Sequence, residues 1–324
     1  MFKHLRVYGR LLTTFNGFLY DFERFIKFSA WKHDMNDLET RNYYLVKVYH
    51  ALEKTMSYKT RDPQYGWTTA FLLLEILKKA NSAKSLGFHD HVGAKILNLF
   101  LNLPENKNTK NAQKIADELA LLNFAQFTES DQAVKSYSIE QFNKGLLSSP
   151  EDFFLSRFSL REFKNEIIDN NLIEKAISLT IKTPSVCNRQ PWHLYYTSDR
   201  NIIDETLQFQ SGNRGFGHKI PNLMIITADL KAFMSGDEHY QHWIDGGMIS
   251  MSVIYAFHSL GIASCCLNWS QTPKNDINLR KKINIQDNHT IIMLLAFGWP
   301  DQDNKVCISE RRPLESFFTK LEIR

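Results

Sequence analysis

The chain predicts a mixed α and β fold: a sheet covered by helices, preceded by an all-helical region. Three observations carry this. Apolar residues recur at helical spacing through the first 150 residues. After Glu151, helical patterns alternate with short apolar runs of strand length. The change of texture falls in "LLSSPED", around residues 148–152, where Ser and Pro break the pattern. Residues 1–150 are therefore expected to form a helical N-terminal region, and residues 151–324 a second unit. Two units suit a chain of 324 residues, which is long for one small domain.

In the first unit, Phe2, Leu5, Tyr8, Leu11, Leu12 and Phe15 lie three and four apart, as one face of a helix requires. The same spacing predicts helices over 67–79, 91–101 and 112–124. "RDPQYG" and "LPENKNTKN" break them. In the second unit, 169–182 is a helix with Ile173, Ile177 and Ile181 on one face. "WHLYYTS" and "NLMIITADL" are strands, the latter following the Gly-rich "SGNRGFGHKIP". Residues 239–260 form a long, mostly apolar helix, with Gly261 where a left-handed stop is expected. "IASCCLNW" and "TIIMLLAFGWP" complete the strands.

Hydrophobic residues make up 43% and charged residues 23%, as in an ordinary globular protein with a sizeable core. A net charge of +4 gives no reason to expect a nucleic-acid partner. Cys187, Cys265, Cys266 and Cys307 form no CxxC pair, which fits free thiols and a cytoplasmic location. No apolar run reaches membrane-spanning length, and the N-terminal stretch lacks the apolar core of a signal peptide. Residues 1–33 carry six basic side chains (Lys3, Arg6, Arg10, Arg24, Lys27, Lys32) against Asp21 and Glu23. Such a segment either lies on an anionic membrane surface or packs its apolar face on the domain, and the second is expected.

Two stretches point to chemistry. "SRFSLREF" sets Arg157, Ser159 and Arg161 at alternate positions. In an extended segment they share one edge, and two guanidiniums with a hydroxyl make a clamp for a phosphate or a ribityl chain. Alternatively they are a solvated lead-in to the following helix. "TPSVCNRQPW" holds Ser185, Asn188 and Gln190 between Pro184 and Pro191. That arc suits the edge of a heteroaromatic ring, or else the side chains satisfy their own backbone. His239, His242 and Asp245 share a helix face, but nothing else supports a metal and none is expected. Cys265 and Cys266 read as strand residues. His50, Glu53, Lys54, Arg61 and Tyr65 gather near a turn and read as a solvated helix face or a helical lid.

The two stretches, in this order and about twenty residues apart, resemble the FMN-dependent nitroreductase superfamily. Three later pieces follow in family order: "DGGMISMSVIYAFHSLGIASCCLNW", "IIMLLAFGWPDQ" and "ERRPLESFF". The likeness covers about half of the chain. It implies an α+β, nitroreductase-like fold with a mainly antiparallel sheet flanked by helices. It also implies FMN as cofactor and a homodimer built on the helix over 240–260, with each flavin at the subunit interface. By the same likeness Arg157, Ser159 and Arg161 hold phosphate and ribityl oxygens. Pro184, Ser185 and Asn188 border the flavin ring, and Gln190 holds their loop. The backbone at Cys266 and Leu267 approaches flavin N5, and Arg311 or Arg312 closes on the phosphate. A fainter likeness is to nitroreductase-like proteins of polysaccharide biosynthesis. The chain departs from the family at Phe158, where a second Arg is common. It departs also at "LNWS", in place of a Gly- or acid-containing turn, and at residues 248–252, which lack the usual Asn. The usual lid insertions are short.

These readings lead to an FMN-dependent oxidoreductase that passes hydride to or from a small organic substrate, with NADH or NADPH as a candidate donor and no separate catalytic side chain. Two alternatives remain: a flavin-binding accessory protein without turnover, whose helical region docks a biosynthetic complex, and a dehydrogenase of a peptide or sugar intermediate that uses no nicotinamide.

Overall fold

A computed structural model describes residues 2–83, 85–122, 124, 132–302 and 304–323, with side chains from Tyr8 onward. The side chains of Phe2 and Leu5, the charges of Lys3 and Arg6, and residue 123 of the helix expected over 112–124 lie outside these. The helical region consists of α1 (Phe2–Phe28), α2 (Leu38–Ser57), α3 (Trp67–Ser82), α4 (Phe88–Leu101), α5 (Lys110–Ala120) and α6 (Ile139–Asn143). The turns "RDPQYG" and "LPENKNTKN" separate α2 from α3 and α4 from α5. Leu45, Leu52, Leu73, Leu77, Leu97 and Phe100, all fully buried, pack α2, α3 and α4 together. Inside this bundle Arg41 is buried and offers two nitrogens to Asp90 at 3.1 Å each. Asp90 also caps α4 through the Gly87 N–H at 2.8 Å. The buried charge thus ties α2 to the start of α4.

The second unit adds α7 (Pro150–Leu155), α8 (Asn170–Leu179), β1 (Trp192–Thr197), α9 (Arg200–Leu207), β2 (Asn222–Asp229), α10 (Gln241–Ser259), β3 (Ala263–Asn268), α11 (Pro273–Arg280) and β4 (His289–Gly298). The sheet has the order β1-β2-β4-β3, every pair antiparallel, so β1 and β3 are its edges. Alternation sorts its faces. Leu223, Ile225, Leu294 and Ala296 meet Ile203 and Leu207 of α9 and Leu279 of α11. Met224, Ile226, Leu295 and Phe297 meet Ile173 of α8 and Ile249, Val253 and Phe257 of α10. β2 is buried on both faces, which is why it reads as an unbroken apolar run. Gly246 lets α10 come down on the sheet, since a Cβ there would sit 2.5 Å from Ile292 Cγ1. Gly261, at φ 74°, ends the helix where the sequence places its stop. The short helices α9 and α11 were not expected. Both start at polar caps, Asp199 and Thr272, with too few turns for periodicity to register.

The packing expected of the N-terminal segment is confined to the last turns of α1. Phe25 is buried with Leu230, Ala232 and Phe233, and Tyr20 and Arg24 reach Asp276 Oδ2 (2.7 Å) and the His289 carbonyl (3.1 Å). Tyr8, Leu11, Leu12, Phe15, Phe18 and Phe22 form an apolar stripe that stays exposed. Among the described residues no helix is long and apolar enough to cross a membrane.

A buried polar cluster joins the two units. Tyr43 of α2 donates to Asp229 Oδ2 (3.0 Å), and Asn288 Nδ2 and the Lys231 N–H donate to Oδ1 (2.7 and 2.9 Å). His289 Nε2 stands 3.9 Å from the same carboxyl, and its Nδ1 is 2.8 Å from the Tyr195 hydroxyl. Burial pushes Asp229 up to about 6. Burial, with the charges of His193 and Arg280 nearby, pushes His289 down to about 3. The two groups act on stability with opposite sign. A carboxyl that ionises at 3.8 when unfolded and about 6 when folded costs stability as pH rises through that window, about 3 kcal/mol in full. An imidazole that protonates at 6.5 unfolded but about 3 folded costs stability as pH falls. Asp229→Asn removes the first slope and leaves the second. In urea unfolding at a series of pH values, its stability should fall more steeply than the parent's between about pH 6.5 and 4. Parallel curves would contradict this account of the junction.

Candidate functional site

The loop after α8 is bent by its own residues. The Asn188 N–H reaches the Ser185 carbonyl (3.0 Å) and the Arg189 N–H reaches the Val186 carbonyl (3.1 Å). Ser185 Oγ accepts from the Gln190 N–H at 2.9 Å, and Gln190 Nε2 donates to the Asn188 carbonyl at 3.0 Å. Cys187, Asn188 and Gln190 all have positive φ, at 50°, 57° and 53°. Three such non-glycine residues within four positions carry strain of about 1–3 kcal/mol each, least for Asn.

What holds this strain is Arg189, which is buried. Its Nη2 and Nη1 grip Glu238 at 2.6 and 3.1 Å, Nη1 also reaches the Ala232 carbonyl at 2.5 Å, and Nε reaches the Val186 carbonyl at 3.2 Å. Burial alone would raise the Glu238 carboxyl. The bonds from Arg189 and from the Met234 N–H outweigh it and hold the group below its ordinary value. At the far side of the loop the Val186 N–H points at both oxygens of Asp245 (3.3 Å each), on the first turns of α10. Val186 also packs on the buried cluster of Phe25, Leu230, Ala232 and Phe233, which Tyr43 and Phe28 of the helical region cover too. Sequence reasoning missed Arg189, Glu238 and Asp245 as loop supports. The signal was one Arg inside the polar arc, but its acid partner lies 49 residues away.

Of the three polar side chains, Ser185 and Gln190 serve the loop backbone. The Asn188 amide makes no hydrogen bond to a described residue and remains available. Pro184 is exposed beside it.

The arginine segment lies elsewhere. It runs along the outer edge of β3: the Leu160 N–H bonds the Ser264 carbonyl at 3.1 Å, and Ser159 bridges Ser264. Arg157 and Ser159 make no side-chain hydrogen bond to described residues, and Arg161 only rests over the Phe216 ring at 6.0 Å. Packing pushes the Cys266 thiol up, and the Arg157 guanidinium nearby opposes this. Cys266 is exposed on the α10 side of the sheet edge, whereas Leu267 is buried on the other face. A cleft of about 260 Å³ opens here, lined by Arg157, Phe158, Leu160, His258, Gly261 and Ser264 among others. Ser156 Oγ and the Phe153 carbonyl both lie 3.0 Å from His258 Nε2.

Loop and arginines therefore stand at opposite ends of α10. Asp245 marks one end and His258 the other. Thirteen residues at 1.5 Å each put them about 20 Å apart. Arg311 and Arg312 lie on the exposed C-terminal tail, Arg311 bonded to the Ser309 carbonyl and Arg312 over the Phe317 ring at 5.7 Å. The chain by itself brings neither of them to Arg157.

The remaining candidates have local roles. His50 pairs with Glu53 (2.9 Å), and Arg61 binds Glu105 and the Tyr65 carbonyl (2.8 Å each). Among the described residues no three His, Cys, Asp or Glu side chains are placed to hold a metal. His239 bonds the Gly236 carbonyl at 2.7 Å, and burial pushes His242 down to about 4. All four cysteines are free.

The nitroreductase family model matches residues 155–213, the stretch that contains both the arginine segment and the loop. A protein of Archaeoglobus fulgidus, provisionally named NADH dehydrogenase/NAD(P)H nitroreductase, is 27% identical over 152 residues, 46% of this chain and 83% of that protein. Two solved structures are similar at lower identity. One is a provisionally named nitroreductase with FMN from Desulfovibrio desulfuricans, 16% identical, covering 55% of this chain and 100% of its own, with a TM-score of 0.47. The other is an FMN-dependent nitroreductase from Clostridium difficile, 16% identical, covering 52% and 98%, with a TM-score of 0.45.

Arg189→Met leaves Glu238 without its partner and the strained loop without its brace. Denaturant unfolding should show a loss of about 3–5 kcal/mol, the usual effect of breaking a buried pair from one side. A loss under about 1 kcal/mol would mean that the loop is held by something else.

Proposed function

We propose that this chain, whose residues 155–213 match the nitroreductase family model, is a nitroreductase-like, FMN-dependent oxidoreductase acting on a small organic substrate. One observation carries this reading: two sets of unspent donors flank a single helix, in the order that the family's motif requires. At one end, Arg157, Ser159 and Arg161 offer two guanidiniums and a hydroxyl with no described hydrogen-bond partner, the donor chemistry a phosphate and ribityl chain need. At the other, the Asn188 amide is held out on a braced loop and can both donate and accept. The residues present therefore fit FMN.

FMN, when bound, supplies hydride exchange through its N5. The chain's own part is to bind, orient and exclude water. Arg157 and Arg161 neutralise the phosphate. Arg189 and Glu238 fix the loop, so Asn188 meets the ring edge without a cost in ordering. Cys266 and Leu267 form the sheet edge that the ring lies along.

With the loop and the arginines at ends of α10 about 20 Å apart, the arrangement proposed is one in which each flavin draws them from two chains. Two copies of α10, antiparallel about a two-fold axis, would set the loop of one chain beside the arginines of the other. The exposed face of α10 suits such a contact: Tyr240, Ile244, Met248 and Met251 form an apolar stripe, with Gly247 open to close approach. Each site is then shared by two chains. A second reading, a flavin-binding accessory protein without turnover, is favoured by the helical region itself. It braces the loop through Val186 and leaves the stripe from Tyr8 to Phe22 exposed for a partner.

Purified protein should be yellow and dimeric, and anaerobic NADH or NADPH should bleach it. A stable yellow protein would favour the accessory reading, and a colourless protein that takes up no FMN would overturn both. Arg157→Ala should weaken FMN by about 1.5–3 kcal/mol, as for a hydrogen bond to a charged group. Asn188→Gly removes the amide while suiting the positive φ. It should leave flavin-free stability equal or higher while weakening FMN or shifting its potential. Lost stability with unchanged flavin behaviour would make the amide structural.

A further inference from the structure

We propose that α1 seats this protein on an anionic lipid surface, through the apolar side that it turns away from the domain. A surface helix ordinarily puts its apolar side on the core and its polar side in water. α1 does the reverse. Gly17, Tyr20, Arg24 and Phe28, three and four apart, form the side that meets the domain. Its bonds are polar. Tyr20 donates to Asp276 Oδ2 at 2.7 Å, and Arg24 donates to the His289 carbonyl at 3.1 Å, an acceptor it shares with Arg280 of α11 at 2.7 Å. Tyr8, Leu12, Phe15, Leu19, Phe22 and Ile26, four and three apart, lie on the opposite side, with Leu11 and Phe18 along one flank. All eight are exposed, by 41% to 70%. Their stripe runs about 27 Å along the helix and spans about 120° of its circumference. An apolar surface on that scale marks a contact. Trp31, also exposed, adjoins its last turn, with Nε1 donating to the Ile26 carbonyl at 2.9 Å.

Charge selects what the stripe meets. Residues 1–33 hold six of the chain's 39 Lys and Arg but two of its 35 Asp and Glu. The rest of the chain is neutral, 33 against 33, so the whole net charge of +4 resides in this segment. Arg10, Lys27 and Lys32 are exposed, and Lys32 Nζ stands over the Trp31 ring at 5.2 Å. Basic side chains on a helix whose other side is Phe, Leu and Tyr fit a lipid interface: the apolar side enters the acyl boundary, and each cation is drawn to anionic headgroups. A second copy fits less well. Pairing two stripes would set like charges together, and the stripe is wider than the two-in-seven seam of a coiled coil.

The seating also suits the fold. With its stripe in lipid, α1 keeps the opposite side, and the domain bonded to it, in water. α1 is not long and apolar enough to cross a membrane, so it lies along the surface. It stands outside residues 155–213, which match the family model, and the seating does not depend on the flavin reading.

Flotation of the full chain with lipid vesicles tests this. Vesicles of phosphatidylcholine and phosphatidylglycerol, about 3:1, should bind the protein at least about tenfold more strongly than phosphatidylcholine alone. Raised salt should narrow the difference. Phe15→Ser combined with Phe18→Ser should weaken binding to the mixed vesicles at least about tenfold, because two rings leave the contact. Arg10→Gln combined with Lys27→Gln should weaken it about tenfold on the mixed vesicles and leave phosphatidylcholine unchanged. All four positions are exposed, so both variants should unfold in urea as the parent does. No flotation with the mixed vesicles, equal flotation with both kinds, or unchanged flotation in either variant overturns the proposal. If the parent ignores vesicles and the Phe15→Ser, Phe18→Ser chain loses self-association in light scattering, the stripe belongs to a second copy instead.

Discussion

A guanidinium with no access to solvent holds the loop at 185–190 in shape. Arg189 grips Glu238 through two nitrogens and the Ala232 carbonyl through one of them. Without it, the three left-handed φ values at Cys187, Asn188 and Gln190 would relax. The interaction reaches further than the loop. Ala232 belongs to the turn that carries Leu230 and Phe233, and those residues receive Phe25 of α1. The Ala30 N–H closes the contact on the Phe233 carbonyl at 2.8 Å. One buried pair therefore joins the strained loop, the turn after β2 and the docking point of the helical region. A buried ion pair is a poor source of net stability but a strong source of definite geometry, and here the geometry is that of the segment carrying Asn188.

α10 turns that local order into a long-range constraint. Its first turns receive the loop at Asp245, and its last meet the arginine segment at His258 and Gly261. The helix is rigid because Gly246 seats it against β4 and Phe257 stacks on Phe297 at 4.7 Å. A rod with the loop at one end and the arginine segment at the other makes the flavin proposal a proposal about two chains. The helical region, in turn, gains a physical role: α2 presses on the loop at Val186, and α1 closes a cleft over the end of β3.

Much of the framework was legible because it depends on local patterns. β2 and β4 show as long apolar runs, α10 as an apolar helix ending at Gly261, and the helix breaks as Pro, Gly and Asn clusters. The polarity of "TPSVCNRQPW" was legible too, but not where it is spent. Ser185 and Gln190 turn inward to the loop's backbone, and only Asn188 is left over. Arg189 was passed by because nothing local distinguishes a buried arginine from a solvated one. Its partner, Glu238, is set by the fold. The same holds for Asp229 with Tyr43, and for Arg24 beside Arg280, where elements far apart in sequence meet. The exposed stripe of α1 was misjudged for a related reason: amphipathic spacing reports a face, not what covers it.

The central claim, that one flavin needs Arg157 from one chain and Asn188 from another, is tested most directly by mixed dimers. Chains carrying Arg157→Ala and chains carrying Asn188→Gly are combined, the heterodimer is isolated by two affinity tags, and FMN is titrated. If sites are shared across the two-fold axis, one site of the heterodimer holds both lesions and the other holds none. Half of the sites should then bind FMN as tightly as the parent, though neither homodimer does. If both groups act within one chain, the heterodimer has two singly damaged sites, and the absence of any parent-like binding would contradict the account.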